Sequence, residues 1–232
     1  RQHMHIGKIL KTAFILTTII AAGAVMVNGY NDLMDEVVSV RNEVSFFRTQ
    51  HVELRKRFIL DKISQQESDS YGLIVGDSII EGMNTLELSD IPVINGGIGG
   101  ARTLDVSQML ASVTVDAKAR FLIISVGVND AVKTSGEIGE EEFEGFVEQL
   151  LFNAKRVADR VYISTIFPVE KGKPLGDQYF DQDRIDAINV ILKKKSAEHG
   201  VSLIESNRAF DDFSGSYTTD GVHPTIEAYD VL

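Results

Sequence analysis

Cysteine is absent from the 232 residues, which excludes disulfides, thiolate metal sites and cysteine nucleophiles without locating the protein in any compartment. Positive charge is scarce: 23 Lys and Arg stand against 34 Asp and Glu, a net charge of −11. A chain this acidic is poorly suited to neutralising phosphates, so no nucleic-acid partner is expected. Histidines number five, at positions 3, 5, 51, 199 and 223. Apart from a match in the N-terminus they lack the spacing of helical metal ligands, so neither a metal nor a cofactor is expected. Repeats and low-complexity tracts are missing too. Proline and glycine are absent from the whole of Asn31–Tyr71.

What is present is globular in character, with 44% hydrophobic and 25% charged residues, enough for one domain with additions. The opening "RQHM" reads as the remnant of a tag, with Met4 as the native start; residues 1–8 form a short cytoplasmic N-terminus. Residues 9–28 are almost wholly apolar, with Lys11 the one charge between Ile9 and Val27. Basic residues before and acidic ones after orient the remainder of the chain outside the cytoplasm. Two readings stand. A single-pass transmembrane anchor fits the length. A cleaved signal peptide fits "AGA" at Ala22–Ala24 and would give a secreted protein. The anchor, in a bacterial-type cell membrane, is the preferred expectation.

Residues 29–70 come next. Leu33, Val37, Val40, Val44, Phe47, His51, Leu54 and Phe58 alternate at spacings of four and three, and seven of these eight are apolar. That is a long amphipathic helix with a heptad stripe. The stripe suits self-association, a partner at the membrane or packing on the chain's own domain. "SQQESDS", Ser64–Ser70, reads as the linker.

From Tyr71 to Leu232 strand-like runs alternate with helical ones. The strands are expected at Leu73–Val75, Pro92–Ile94, Phe121–Val126, Val161–Phe167 and Val201–Ile204. The helices are expected at Leu104–Val113, Glu140–Asp159 and Gln182–His199. Such alternation implies right-handed crossovers and a parallel sheet with helices on both faces. Ligands bind beyond the carboxyl ends of such strands. Four blocks sit there or near the C-terminus: "GDSI" from Gly76, "NGGIGGAR" from Asn95, "GVND" from Gly127 and "TDGVHPT" from Thr219.

Singly, each block has a dull explanation as a turn or helix cap, and Asp77 and Ser78 are both capping types. Together they supply what acyl transfer needs. Ser78 projects from a strand-to-helix turn as nucleophile, with its own N–H outside the helix bonding. His223 is the base, and Asp220, three residues earlier with Gly221 between, can reach its Nδ1. Gly100 can offer a backbone N–H and Asn129 a side-chain amide to an oxyanion. Pro224 suits the first position of a closing helix.

In this order the blocks resemble the SGNH (GDSL-like) hydrolases, serine esterases and lipases with a flavodoxin-like α/β/α sheet. The resemblance covers Tyr71 to the C-terminus. It implies Ser78, His223 and Asp220 as catalytic residues and an oxyanion hole from Ser78, Gly100 and Asn129. No G-x-S-x-G elbow surrounds Ser78, which separates the chain from the α/β-hydrolases. Where many relatives carry an acidic residue after the second-block glycine, this chain has Ala101 and Arg102. Arg102 is expected to pair with a carboxylate rather than steer an anionic substrate. The last helix looks cut short at Leu232.

The expected activity is hydrolysis of short acyl esters, with acetyl groups on a polysaccharide as one candidate. About nineteen residues separate the start of the first block from the second, too few for a lid or a long lipid tunnel there. The alternatives are an O-acyltransferase using the same triad, working beside a membrane acyltransferase, and a non-catalytic scaffold in a membrane complex. Lys171, Lys173 and Tyr179 in the loop Pro168–Gln182 are candidate sugar contacts, with solvated loop positions the plainer reading.

Overall fold

The computed structural model describes residues 2–86, 88–114, 117–134 and 138–232, with side chains described from residue 29 onward except residue 31. Contacts divide the chain into two compact units, 1–50 and 51–232. From Gln2 onward the first belongs to α1 (Gln2–Ser64). The absence of proline and glycine after Asn31 leaves nothing to break that helix. The side chains of the apolar segment 9–28 lie outside the described residues. Among the described residues, no helix is long and apolar enough to cross a membrane.

The second unit is built on five parallel strands: β1 (Gly72–Gly76), β2 (Val93–Gly97), β3 (Ala119–Ser125), β4 (Ala158–Ser164) and β5 (Ser202–Ile204). Their spatial order is β2-β1-β3-β4-β5, the flavodoxin-like order. Five helices complete the fold: α2 (Ser78–Glu81), α3 (Thr103–Ala111), α4 (Glu140–Val157), α5 (Gln182–His199) and α6 (Ile226–Tyr229). Right-handed crossovers put α3, α4 and α5 on one face, where α3 packs on α4 and α4 on α5. The other face carries α2 and α6, both only four residues long. Between them and Ile74, Ile123 and Ile204 of the sheet lies a largely apolar cavity of about 310 Å³.

Leu73, Val75, Leu122 and Ile124 are completely buried. The final turns of α1 contribute Ile59 and Ile63 to the same core. Every strand differs from expectation by at least one residue, and two of the shifts have a visible cause. Strand β4 begins at Ala158, directly after α4, because Ala158 pairs with Ala119 of β3. Strand β2 runs on through Gly96 and Gly97, which pair with Val75 and Gly76. Pairing thus overrides the turn preference of the two glycines.

Candidate active site

The strand order reverses at β1, which opens a crevice between the carboxyl ends of β1 and β3. Gly76 is in register with Gly97 on one side and Ser125 on the other. The first three blocks therefore leave the sheet at one level. Asp77 caps α2, its Oδ1 accepting the Ile79 N–H at 3.0 Å. Capping thus falls to Asp77, and Ser78, the first helical residue, turns its hydroxyl to another partner.

That partner is His223, whose Nε2 lies 2.8 Å from Ser78 Oγ. His223 Nδ1 lies 2.7 Å from Asp220 Oδ2. Asp220 Oδ1 accepts the backbone N–H groups of His223, at 2.9 Å, and Val222, at 3.1 Å. Burial works to raise the Asp220 carboxyl, but these hydrogen bonds and the imidazole outweigh it and hold the pKa below the usual range. Asp220 is thus kept ionised where it can orient the ring and favour an imidazolium. Gly221 has a φ of 116° and packs on Gly176, so a side chain there would meet both strain and backbone.

The second block and the start of α3 are joined to the third block by hydrogen bonds. Asn129 Nδ2 donates to the Ala101 carbonyl at 3.0 Å. Asp130 Oδ2 accepts from both the N–H and the hydroxyl of Thr103, each at 3.0 Å. Gly100, with a φ of 72°, lies in the stretch these contacts fix, so its backbone and the Asn129 amide are neighbours. Ala101 is fully buried, which accounts for a small apolar residue there. The Arg102 N–H donates to Asp105 Oδ2 at 2.9 Å in a capping box for α3.

Two buried carboxyls lie behind this surface. Burial pushes Asp77 up to about 7, against the Ile79 hydrogen bond and the nearby imidazole, while the charge of Asp130 adds to the rise. Burial also raises Asp130, whose Oδ1 has no hydrogen-bond partner among the described residues.

Several supporting residues carried no signal in the sequence. Glu81 Oε2 accepts the Gly99 N–H at 2.7 Å and lies 3.3 Å from His51 Nε2. Arg55 bonds the Gly97 carbonyl through Nη2 at 2.7 Å and pairs with Glu81 at 3.1 Å. The last turns of α1 and the end of α2 thereby clamp the second block from behind. Gly97 permits this, since a side chain there would fall 2.1 Å from the Glu81 nitrogen. Asn95 closes α2 by donating to the carbonyls of Ile80, at 2.7 Å, and Met83, at 3.0 Å.

The loop 168–182 supports the fourth block. Glu170 Oε2 accepts from the Thr218 N–H at 2.7 Å, Ser216 Oγ at 2.9 Å and the Thr218 hydroxyl. Lys173 Nζ lies 3.0 Å from the same oxygen and also bonds Ser216 and the Thr218 carbonyl. Burial alone would raise Glu170; these donors bring it down to about 2. The Gly221 and Asp220 carbonyls accept N–H groups of Glu170 and Leu175. Lys173 therefore braces the loop carrying His223 instead of reaching outward. Lys171 and Tyr179 are exposed. Pro224 does not open the closing helix: it forms a bridge with Thr218, and Thr225 caps α6 at Ile226.

A family model described as "GDSL-like Lipase/Acylhydrolase family" matches residues 74–231. Comparison with curated proteins finds no match. Among solved structures, a protein from Streptococcus pneumonia has a TM-score of 0.70 at 20% identity, over 84% of this chain and 94% of that one. A lipase/acylhydrolase from Enterococcus faecalis has a TM-score of 0.59 at 20% identity, over 69% and 90%. An acetylxylan esterase from Geobacillus stearothermophilus has a TM-score of 0.54 at 17% identity, over 71% and 91%. At these identities the likeness is one of fold.

Proposed function

The chain is an enzyme of the GDSL-like lipase/acylhydrolase family, and on that footing we propose that it is a serine esterase cleaving short acyl esters, with O-acetyl groups on carbohydrate as the substrate class. The observation that carries this reading is the hydrogen-bonded series Ser78–His223–Asp220, at 2.8 and 2.7 Å. His223 Nε2 takes the Ser78 proton as Oγ attacks the ester carbonyl. The negative charge on the carbonyl oxygen is met by the Ser78 and Gly100 N–H groups and the Asn129 amide. His223 then gives its proton to the leaving alcohol, and water, activated by the same nitrogen, releases the acid.

Short acyl groups are favoured because the apolar cavity beneath α2 is lined by neither Ser78 nor His223. The fold shared with an acetylxylan esterase supports acetyl as the group removed. Transfer to a sugar hydroxyl would use the same acyl-enzyme. The His223 side chain is 35% exposed, which leaves water in easy reach and favours hydrolysis. Residues 9–28 are proposed as the anchor holding the domain outside the cytoplasm. Support comes from α1, which continues without a break from Gln2 to Ser64. Protease added to intact cells should remove the catalytic domain if this is correct, and leave it whole if not.

The chemical reading is tested with 4-nitrophenyl acetate and acetylated xylo-oligosaccharides, compared with longer acyl chains. A fluorophosphonate probe should label wild type and fail on Ser78→Ala. Equal turnover by the two proteins would reject the assignment.

A further inference from the structure

The first unit carries an apolar seam along its helix. Tyr30, Leu33, Val37, Val40, Val44 and Phe47 are each more than half exposed and follow one another at spacings of three and four. In heptad terms Tyr30, Val37 and Val44 occupy a positions, and Leu33, Val40 and Phe47 occupy d positions. The flanks of this seam carry opposite charge. Glu36 and Glu43 fall at g positions on one side, and Arg41 and Arg48 at e positions on the other.

From this arrangement we infer that the chain forms a parallel, in-register two-stranded coiled coil with a second copy of itself through Tyr30–Phe47. In a parallel pair each g residue meets the e residue of the following heptad across the seam. Glu36 then faces Arg41 of the second copy, and Glu43 faces Arg48, with both contacts repeated by symmetry. An antiparallel pair sets g against g and e against e, which brings glutamates together and arginines together. The sequence thus matches one orientation and penalises the other. Parallel pairing has the further merit that both N-termini emerge on the same side, as two anchors in one membrane require. The inference does not depend on that anchor or on the esterase reading.

The cysteine-free chain makes the test direct. Val37→Cys and Asn42→Cys are prepared separately in the full chain, in neutral detergent, and oxidised with copper phenanthroline. Val37→Cys places two thiols across the seam of a parallel pair and should cross-link as a dimer of twice 25.6 kDa; Asn42→Cys, on the outer face, should not. Sedimentation of the unmodified chain should give the same doubled mass. Glu36→Arg with Glu43→Arg should reduce it to a monomer, as should Arg41→Glu with Arg48→Glu. An equal mixture of the two charge-reversed proteins should restore the dimer, while 4-nitrophenyl acetate turnover per chain stays constant throughout. A monomeric wild type, equal cross-linking at both cysteine positions, or failure of the mixture to re-form a dimer would overturn the proposal.

Discussion

The Tyr229 hydroxyl donates to the carbonyl of Ile79 at 2.8 Å, joining the helix that follows His223 to the turn that presents Ser78. Ser78 and His223 come from opposite ends of the domain's sequence, and this bond is one of the links that keep them in register. Burial and the nearby carboxylates of Asp77 and Asp220 raise the Tyr229 phenol to about 12, so it stays a donor at all working pH values. Tyr229→Phe should cost about 1 kcal/mol of stability in urea unfolding. Its kcat should fall with little change in KM, because the loss loosens the Ser78–His223 geometry and not the binding of substrate.

Removing the proposed nucleophile or misorienting the proposed base should leave the fold intact. Ser78→Ala is expected to lose 4-nitrophenyl acetate hydrolysis by about 10⁶-fold, and Asp220→Asn by roughly 10⁴-fold. Circular dichroism should be unchanged in the first variant. In the second, fluorophosphonate labelling should slow in proportion to turnover.

The clamp behind the second block should be visible in catalysis. Glu81→Ala removes the acceptor of the Gly99 N–H and the partner of Arg55, so the neighbouring Gly100 loses its fixed position. The expected result is a lower kcat with KM nearly constant. Glu81→Gln retains an acceptor for Gly99 and should recover most of the loss. Equal defects in both variants would point to charge rather than to positioning.

Asp77 and Glu170 should give opposite pH dependences of stability. Asp77 has a pKa raised from 3.8 to about 7 in the folded protein. Between those values the folded state holds a proton that the unfolded state has lost, so stability falls as pH rises from about 4 to 7. Asp77→Asn keeps an oxygen for the Ile79 N–H and should flatten that fall. Comparing the two proteins by thermal unfolding at pH 4.5 and 7.5 isolates the effect.

Glu170 runs the other way, with a pKa lowered from 4.5 to about 2. Its contribution is complete above the unfolded value and is lost as pH drops through the folded one. Glu170→Gln should therefore destabilise the protein at neutral pH and converge with wild type near pH 2. Because Glu170 supports the fourth block, the variant should also show reduced kcat at pH 7.

How far the sequence disclosed this arrangement depended on the range of the interaction concerned. Helix α5 lies at Gln182–His199 as its pattern indicates, because Asp181 caps one end and Gly200, at a φ of 61°, ends the other. Strand β1 was legible from Leu73–Val75, since a run buried on both faces has no polar alternation to confuse it. The start of β4 was not, because a pairing between Ala158 and Ala119 decides it across the sheet. At the site, Ser78, Asp220 and His223 stood out because turn residues surround them in recognisable blocks. Arg55, Glu81 and Glu170 act through partners far along the chain, and their neighbours in sequence resemble any solvated charge. Lys173 shows the same limit, because only the folded chain sets Glu170 and Ser216 against it.

The bracing of the fourth block by residues 168–182 bears on how this enzyme could be re-engineered or could diversify. Active-site loops are usually the freely exchangeable parts of a scaffold, swapped to alter substrate choice while the catalytic residues stay put. Here residues 168–182 and the seat of His223 are one piece, since Glu170, Lys173 and Leu175 bond directly to Ser216, Thr218, Asp220 and Gly221. A transplanted loop would keep His223 in place only if it carried its own equivalents of those three residues. Substitutions at the exposed Lys171 and Tyr179 would leave that bracing intact.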